Sequence, residues 1–219
     1  MIFSNNNNNE TVVSLIASAI RRDISFGELA PDSRLKIEEL RTRYGGSSHS
    51  LREALTLLST QGLVEANAQR GFRVSSATVD DLQDIIRLRC EIEKLSLQWS
   101  LQHTNVKWEG QIIAAHHALV RAQENVIHSP IDAALAWDDA NRQFHMSLAA
   151  ACGSPRLVTA HKQLFDQSRR FSLTALREGQ LNFTLIADNN NRLVQAILAR
   201  DCDTAISLLQ QNIAANLTL

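Results

Sequence analysis

Apolar residues recur at helical spacing over residues 11–22, where Val12, Val13, Leu15, Ile16, Ala19 and Ile20 predict an amphipathic helix ending before Phe26-Gly27 and Pro31-Asp32. Residues 36–44 predict a second, short helix, which Gly45-Gly46-Ser47 breaks. Ser47 or Ser48 can then cap a third helix over 50–61, whose Leu51, Leu55 and Leu58 form a core stripe. Two short helices across a glycine-containing turn predict a helix-turn-helix. Past Gly62, residues 63–66 and 72–74 flank 67–71 as the two strands of a small hairpin, or wing.

Ser75, Ser76, Ala77 and Thr78 make a polar junction, and the period then changes. From residue 79 onward the pattern is helical throughout, with helices predicted at 79–101, 106–128, 131–152, 155–176, 181–199 and 201–217. Ser129-Pro130, Gly153-Ser154-Pro155 and Arg200-Asp201 supply breaks. The expected fold is therefore mainly α: an N-terminal winged helix-turn-helix over 10–76 and a C-terminal all-α bundle of about six helices over 77–219. Residues 1–9, with their asparagine run at 5–9, are expected to be a disordered arm.

Composition narrows the class without naming a function. The 219 residues are 44% hydrophobic and 21% charged, with 8 Gly and 3 Pro, as suits a folded helical protein. A net charge of -1 gives no global attraction to nucleic acid, so any basic surface must be local. Cys90, Cys152 and Cys202 fit neither a disulfide framework nor a four-cysteine zinc site. No basic segment leads into an apolar run, and no apolar stretch approaches membrane length, so a cytoplasmic protein without membrane attachment is expected.

Local charge and spacing are more informative. Between residues 34 and 52 stand Arg34, Lys36, Arg41, Arg43 and Arg52 against only Glu38 and Glu39, an excess that suits phosphate contact. The runs Leu29-Ala30-Pro31-Asp32-Ser33-Arg34-Leu35, Leu51-Arg52-Glu53-Ala54-Leu55 and Gln61-Gly62-Leu63-Val64 resemble the DNA-binding domain of GntR-type bacterial transcription regulators, with its parts correctly spaced. In the C-terminal half, Arg89-Cys90-Glu91-Ile92-Glu93, Phe144-His145 with Ala151-Cys152-Gly153-Ser154, and residues 196–201 are similar to the FCD effector domain of the FadR subfamily. A count of about six effector helices resembles the VanR-type branch.

The resemblance implies double-stranded operator DNA as partner. Arg34 and Arg52 become the base or phosphate contacts, Ser47, Ser48, His49 and Ser50 line the start of the recognition helix, and Arg70 and Gly71 belong to the wing. Many members carry S-R-T-P where this chain has Ser47-Ser48-His49-Ser50, so a major-groove arginine is absent at position 48 and the operator is expected to differ from the common family sequence.

The family also places an Asp and three His around a divalent metal, and on this chain those positions fall at Asn141, His145, Asn190 and Asn212. Amides lack the charge of Asp and the nitrogen donor of His, so no metal cofactor is expected there. With Arg89, these residues are expected to form a polar pocket for a small, anionic organic effector; a structural polar network, with Arg89 paired to Glu93, is the other reading. No catalytic motif stands out. The expected function is a ligand-responsive, homodimeric transcription regulator; a small helical metal-dependent enzyme and an interaction scaffold are the alternatives.

Overall fold

A computed structural model describes residues 11–67 and 69–217, and the arm expected at 1–9 lies outside them. Among the described residues the chain forms nine helices and one three-stranded sheet, in two compact units, Met1–Thr78 and Val79–Leu219. No helix among them is long and apolar enough to cross a membrane.

The first unit comprises α1 (Val12–Ser25), β1 (Arg34–Leu35), α2 (Ile37–Tyr44), α3 (Ser48–Thr60), β2 (Val64–Asn67) and β3 (Gly71–Val74). Its core joins Ile16, Ala17, Ile20 and Ile24 of α1 to Leu51, Ala54, Leu55 and Leu58 of α3, with Leu40, Tyr44, Leu63, Val64 and Val74 closing the sides. The turn between α2 and α3 demands glycine at position 46, where φ is +83° and a Cβ would lie 2.7 Å from Ile16 Cδ1. Tyr44 donates to the buried Asp23 carboxylate at 2.6 Å, which fixes α2 against α1.

The sheet is one strand larger than the expected hairpin. β3 pairs antiparallel with β2, and also with β1, where Arg34 lies opposite Arg73. A two-residue strand carries no period to read. Its entry turn uses Asp32 in the left-handed region, φ +64°. Asp is among the residues that tolerate that conformation. The Asp32 carbonyl accepts from Arg73 Nε at 2.7 Å and its carboxylate from Ser76 Oγ at 2.8 Å, tying the turn to the end of β3.

The second unit comprises α4 (Val79–Gln102), α5 (Val106–His128), α6 (Ala134–Leu148), α7 (Pro155–Arg177), α8 (Phe183–Leu198) and α9 (Cys202–Ala215). Asn105, Ser154, Asn182 and Asp201 cap α5, α7, α8 and α9 through their side-chain oxygens, and Pro155 opens α7. α6 starts later than expected, at Ala134. Its preceding residue, Ala133, offers no side-chain cap, and Pro130 and Ile131 stay in the connecting turn. α4 packs against α7 and α9, while α5 packs on α6 and α8. The inward face of α4 begins with Leu82 and Ile85 but then presents Arg89, Glu93 and Ser96, so the bundle has a polar centre.

Candidate nucleic-acid interface and buried polar centre

In the first unit the sequence builds a helix start aimed at solvent. Ser47 caps α3 by accepting from the Ser50 N–H at 3.0 Å, and its hydroxyl lies 2.9 Å from that of Ser50. Ser47 and His49 are exposed, Ser48 and Ser50 half-buried, and Arg52 exposed one turn further on. His49 Nε2 stands 3.4 Å from Glu53 Oε1, an exposed i,i+4 contact along the helix. Arg52 itself has no side-chain partner among the described residues.

The extra strand changes the wing. By pairing β1 with β3, the sheet places Arg34 beside Arg73, and both line a depression of about 140 Å³ with Glu65, Asn67, Arg70 and Gly71. Asn67 Oδ1 accepts the N–H groups of Gln69 and Arg70 at 3.0 and 3.1 Å, which tightens the tip. Gly71 has φ +78° and open space where a Cβ would stand, so backbone can be approached closely there. Arg73 was not foreseen as part of this surface. Its signal, alternation along β3, was present, but its nearness to Arg34 depended on a strand too short to detect.

In the second unit the five residues expected around the pocket are all buried: Arg89 on α4, Asn141 and His145 one turn apart on α6, Asn190 on α8 and Asn212 on α9. Four of them, Arg89, His145, Asn190 and Asn212, fall into two hydrogen-bonded sets, to which Asn141 does not belong. In one, Glu93 lies at the focus: Arg89 Nε donates to Glu93 Oε1 at 2.6 Å, His145 Nδ1 meets Oε2 at 2.6 Å, and His161 Nε2 stands 3.3 Å from Oε1. Arg89 also donates to Ser168 Oγ at 2.8 Å and stacks on Phe165, 4.5 Å from the ring centre. In the other set, Asn212 Nδ2 donates to Asn190 Oδ1, and Asn216 Nδ2 donates to Asn212 Oδ1 at 2.9 Å. Asn190 lies in the interior of α8.

The guanidinium of Arg89 is thus neutralised within the protein, and an incoming anion would have to exchange with Glu93. Burial alone would push the Glu93 carboxyl up, yet Arg89, His161 and His145 together hold it well below the usual carboxylate range. Burial pushes His145 down against the pull of Glu93. The family's metal does not fit its four positions here. Asn212 Nδ2 is engaged by Asn190 Oδ1, and amides replace the carboxylate and two imidazoles that would bind the ion.

Sequence reading missed a second buried ionic layer. Asp138 is buried and accepts from Arg169 Nε at 2.6 Å, while Arg142 Nε meets Asp166 at 3.1 Å, joining α6 to α7. His161 was missed as well. It lies on the buried stripe of α7 with Leu157, Leu164, Ser168 and Phe171, where a helical pattern could have marked it as inward-facing.

The Asp138 layer gives a signed expectation. Burial raises its carboxyl to about 6, against the opposing pull of Arg169; Asp139 and Asp166 push the same way as burial. The folded value lies above the unfolded one, near 3.9. The contribution is therefore fully present below the unfolded value and lost as pH rises through about 6. Asp138→Asn removes this titration. The stability of the native protein relative to the variant should increase between pH 7.5 and pH 5, as measured by paired urea unfolding curves; a constant difference would show that Asp138 does not titrate in that range.

Comparison with known proteins fits this geometry. Residues 13–74 match the bacterial regulatory proteins of the gntR family, and residues 84–215 match the FCD domain. The chain is 32% identical to the HTH-type transcriptional regulator BphR of Paraburkholderia xenovorans over 97% of its own length and 86% of that protein. The chain belongs to the GntR family. It is a transcriptional regulator and not an enzyme, and its FCD domain agrees with the FadR-type resemblance of the C-terminal motifs. The HTH-type transcriptional repressor GlaR of Escherichia coli is 30% identical over 89% of each chain. The solved structure of E. coli McbR/YncC shares the fold with a TM-score of 0.75, at 21% identity and with 93% of this chain and 94% of that one covered.

Proposed function

We propose that this GntR-family regulator acts in the cytoplasm as a homodimer on pseudo-palindromic operator DNA, and that a small anionic organic metabolite entering its helical bundle changes operator affinity. On the DNA side, Arg52 reads a base edge in the major groove, Ser47, Ser48, His49 and Ser50 set the helix start against the backbone, and Arg34, Arg70 and Gly71 bring the wing to phosphates or the minor groove. Arg73, alongside Arg34, adds to that phosphate surface.

The observation that carries the effector reading is a set of buried polar atoms with no hydrogen-bond partner among the described residues: His145 Nε2, both ring nitrogens of His161, and Asn190 Nδ2. A bundle centre built for stability alone would leave few such atoms, because each costs about 1–3 kcal/mol. An anion that draws Arg89 from Glu93, with Asn141, His145, Asn190 and Asn212 offering amide and imidazole donors, would satisfy His145 Nε2 and Asn190 Nδ2 among them. A second copy is supported by the outer face of α4. There Leu88, Ile92, Leu95 and Trp99 form a stripe at helical spacing, with Leu88 48% and Trp99 38% exposed.

The test combines both halves. DNA from upstream of the protein's own gene is titrated with protein at several salt concentrations, with and without a panel of small mono- and dicarboxylates and sugar acids. Salt-dependent, sequence-selective binding is expected, together with one carboxylate that shifts operator affinity about 5- to 150-fold. Arg89→Gln should abolish that response. Sedimentation at micromolar concentration should give a dimer, and Leu88→Glu with Trp99→Glu a monomer. A protein that binds DNA as a dimer with affinity unmoved by any small molecule would instead be an interaction scaffold on DNA.

A further inference from the structure

We propose that Glu93, His145 and His161 form a divalent transition-metal site, distinct from the family's metal positions and sharing only His145 with them. The three side chains come from three helices, α4, α6 and α7, and are 2%, 0% and 1% exposed. One donor atom from each lies within 4.8 Å of the others. One carboxylate and two imidazoles make a donor set suited to zinc and its neighbours, but poorly suited to calcium or magnesium, which prefer oxygen ligands.

The distances are close to those of a bound set. Donors at about 2.0–2.2 Å from a tetrahedral ion stand roughly 3.3–3.6 Å from one another. His161 Nε2 is already 3.3 Å from Glu93 Oε1, and His145 Nδ1 is 2.6 Å from Oε2, so that imidazole has to withdraw by less than 1 Å. The carboxylate is held at Oε1 by Arg89, itself held by Ser168, which is the outer support that metal ligands commonly need.

A hydrogen-bonded core network explains the cluster less well. His161 is fully inside the bundle, yet neither of its nitrogens makes a hydrogen bond among the described residues, while the Glu93 carboxylate is already bonded to Arg89 and His145. A metal gives His161 a role and leaves at least one coordination position open. Glu93 and Arg89 cancel in charge, so the ion's own charge stays uncompensated in a buried setting, which favours an anion at the open position over water alone. The inference deepens the proposed effector reading, but it can be tested without DNA or effector.

The probe is Co²⁺ on the full-length protein, stripped with chelator and desalted. One Co²⁺ per chain is expected, with visible absorption from an ion of low coordination number, and Zn²⁺ should displace it. His161→Gln and His145→Gln should each weaken binding at least about 10-fold, while Cys202→Ser, which removes an exposed thiol, leaves it unchanged. Circular dichroism establishes that each variant is folded; should His145→Gln not fold, His161→Gln and the wild-type spectrum decide. Far less than one equivalent of Co²⁺ bound by the wild type would overturn the proposal, as would stoichiometric binding that His161→Gln leaves intact. Failure of operator or carboxylate binding would bear on the proposed function alone.

Discussion

Replacing Glu93 by Leu should destabilise the helical bundle by about 3–5 kcal/mol, a large share of the roughly 5–15 kcal/mol that holds a domain folded. The cause is what remains behind. The Arg89 side chain is 4% exposed, and without Glu93 its charge keeps only the Ser168 hydroxyl and the face of Phe165. His145 also loses the partner of its Nδ1. Removing the arginine as well takes away the stranded charge, so Arg89→Met combined with Glu93→Leu should recover most of the loss. Urea unfolding of metal-free wild type, both single variants and the double variant closes this cycle. A cost below about 1 kcal/mol for Glu93→Leu alone would mean that water reaches Arg89 and that the pair is not a buried one.

The same network shows where the sequence could be read and where it could not. Helices announce themselves by local signals, and several of them are present here: Ser47 before α3, Asn105 before α5, Ser154-Pro155 before α7 and Asp201 before α9. α6 has no such cap, and its start was misjudged. β1 went unseen because two residues show no alternation, and its pairing depends on β3, far along the chain.

Site residues divide in the same way. Arg89 and Glu93 are i and i+4 on one helix, so their pairing was legible as an alternative. The three-residue turn between α8 and α9 makes them packed neighbours, but that Asn190 meets Asn212 could be read only through the family resemblance. His161 and Asp138 were not legible as partners. Whether an imidazole or a carboxylate is tolerated inside depends on which helix supplies Glu93 or Arg169 opposite it, and that is a property of packing rather than of spacing.

Arg52→Ala should weaken operator binding by about 1–3 kcal/mol and relax selectivity at one base step. Three features of the first unit lead there. Ser47 fixes where α3 begins, so Arg52 sits in its early turns, the part of a recognition helix that meets base edges. Arg52 is exposed and has no side-chain partner among the described residues, whereas Arg43 is paired with Asp23 and Arg73 with Asp32. Its neighbour Glu53, which would repel phosphates, has His49 Nε2 3.4 Å from its carboxylate. Arg34 provides the contrast. It lies on β1 in the wing depression, so Arg34→Ala should lower affinity for all sequences alike and reduce the salt dependence by about one phosphate contact. Fluorescence anisotropy on the operator and on single-base variants, each at several salt concentrations, separates the two behaviours. If Arg52→Ala lowers affinity equally for every sequence, its guanidinium contacts phosphate, and base reading passes to the exposed His49 at the helix start.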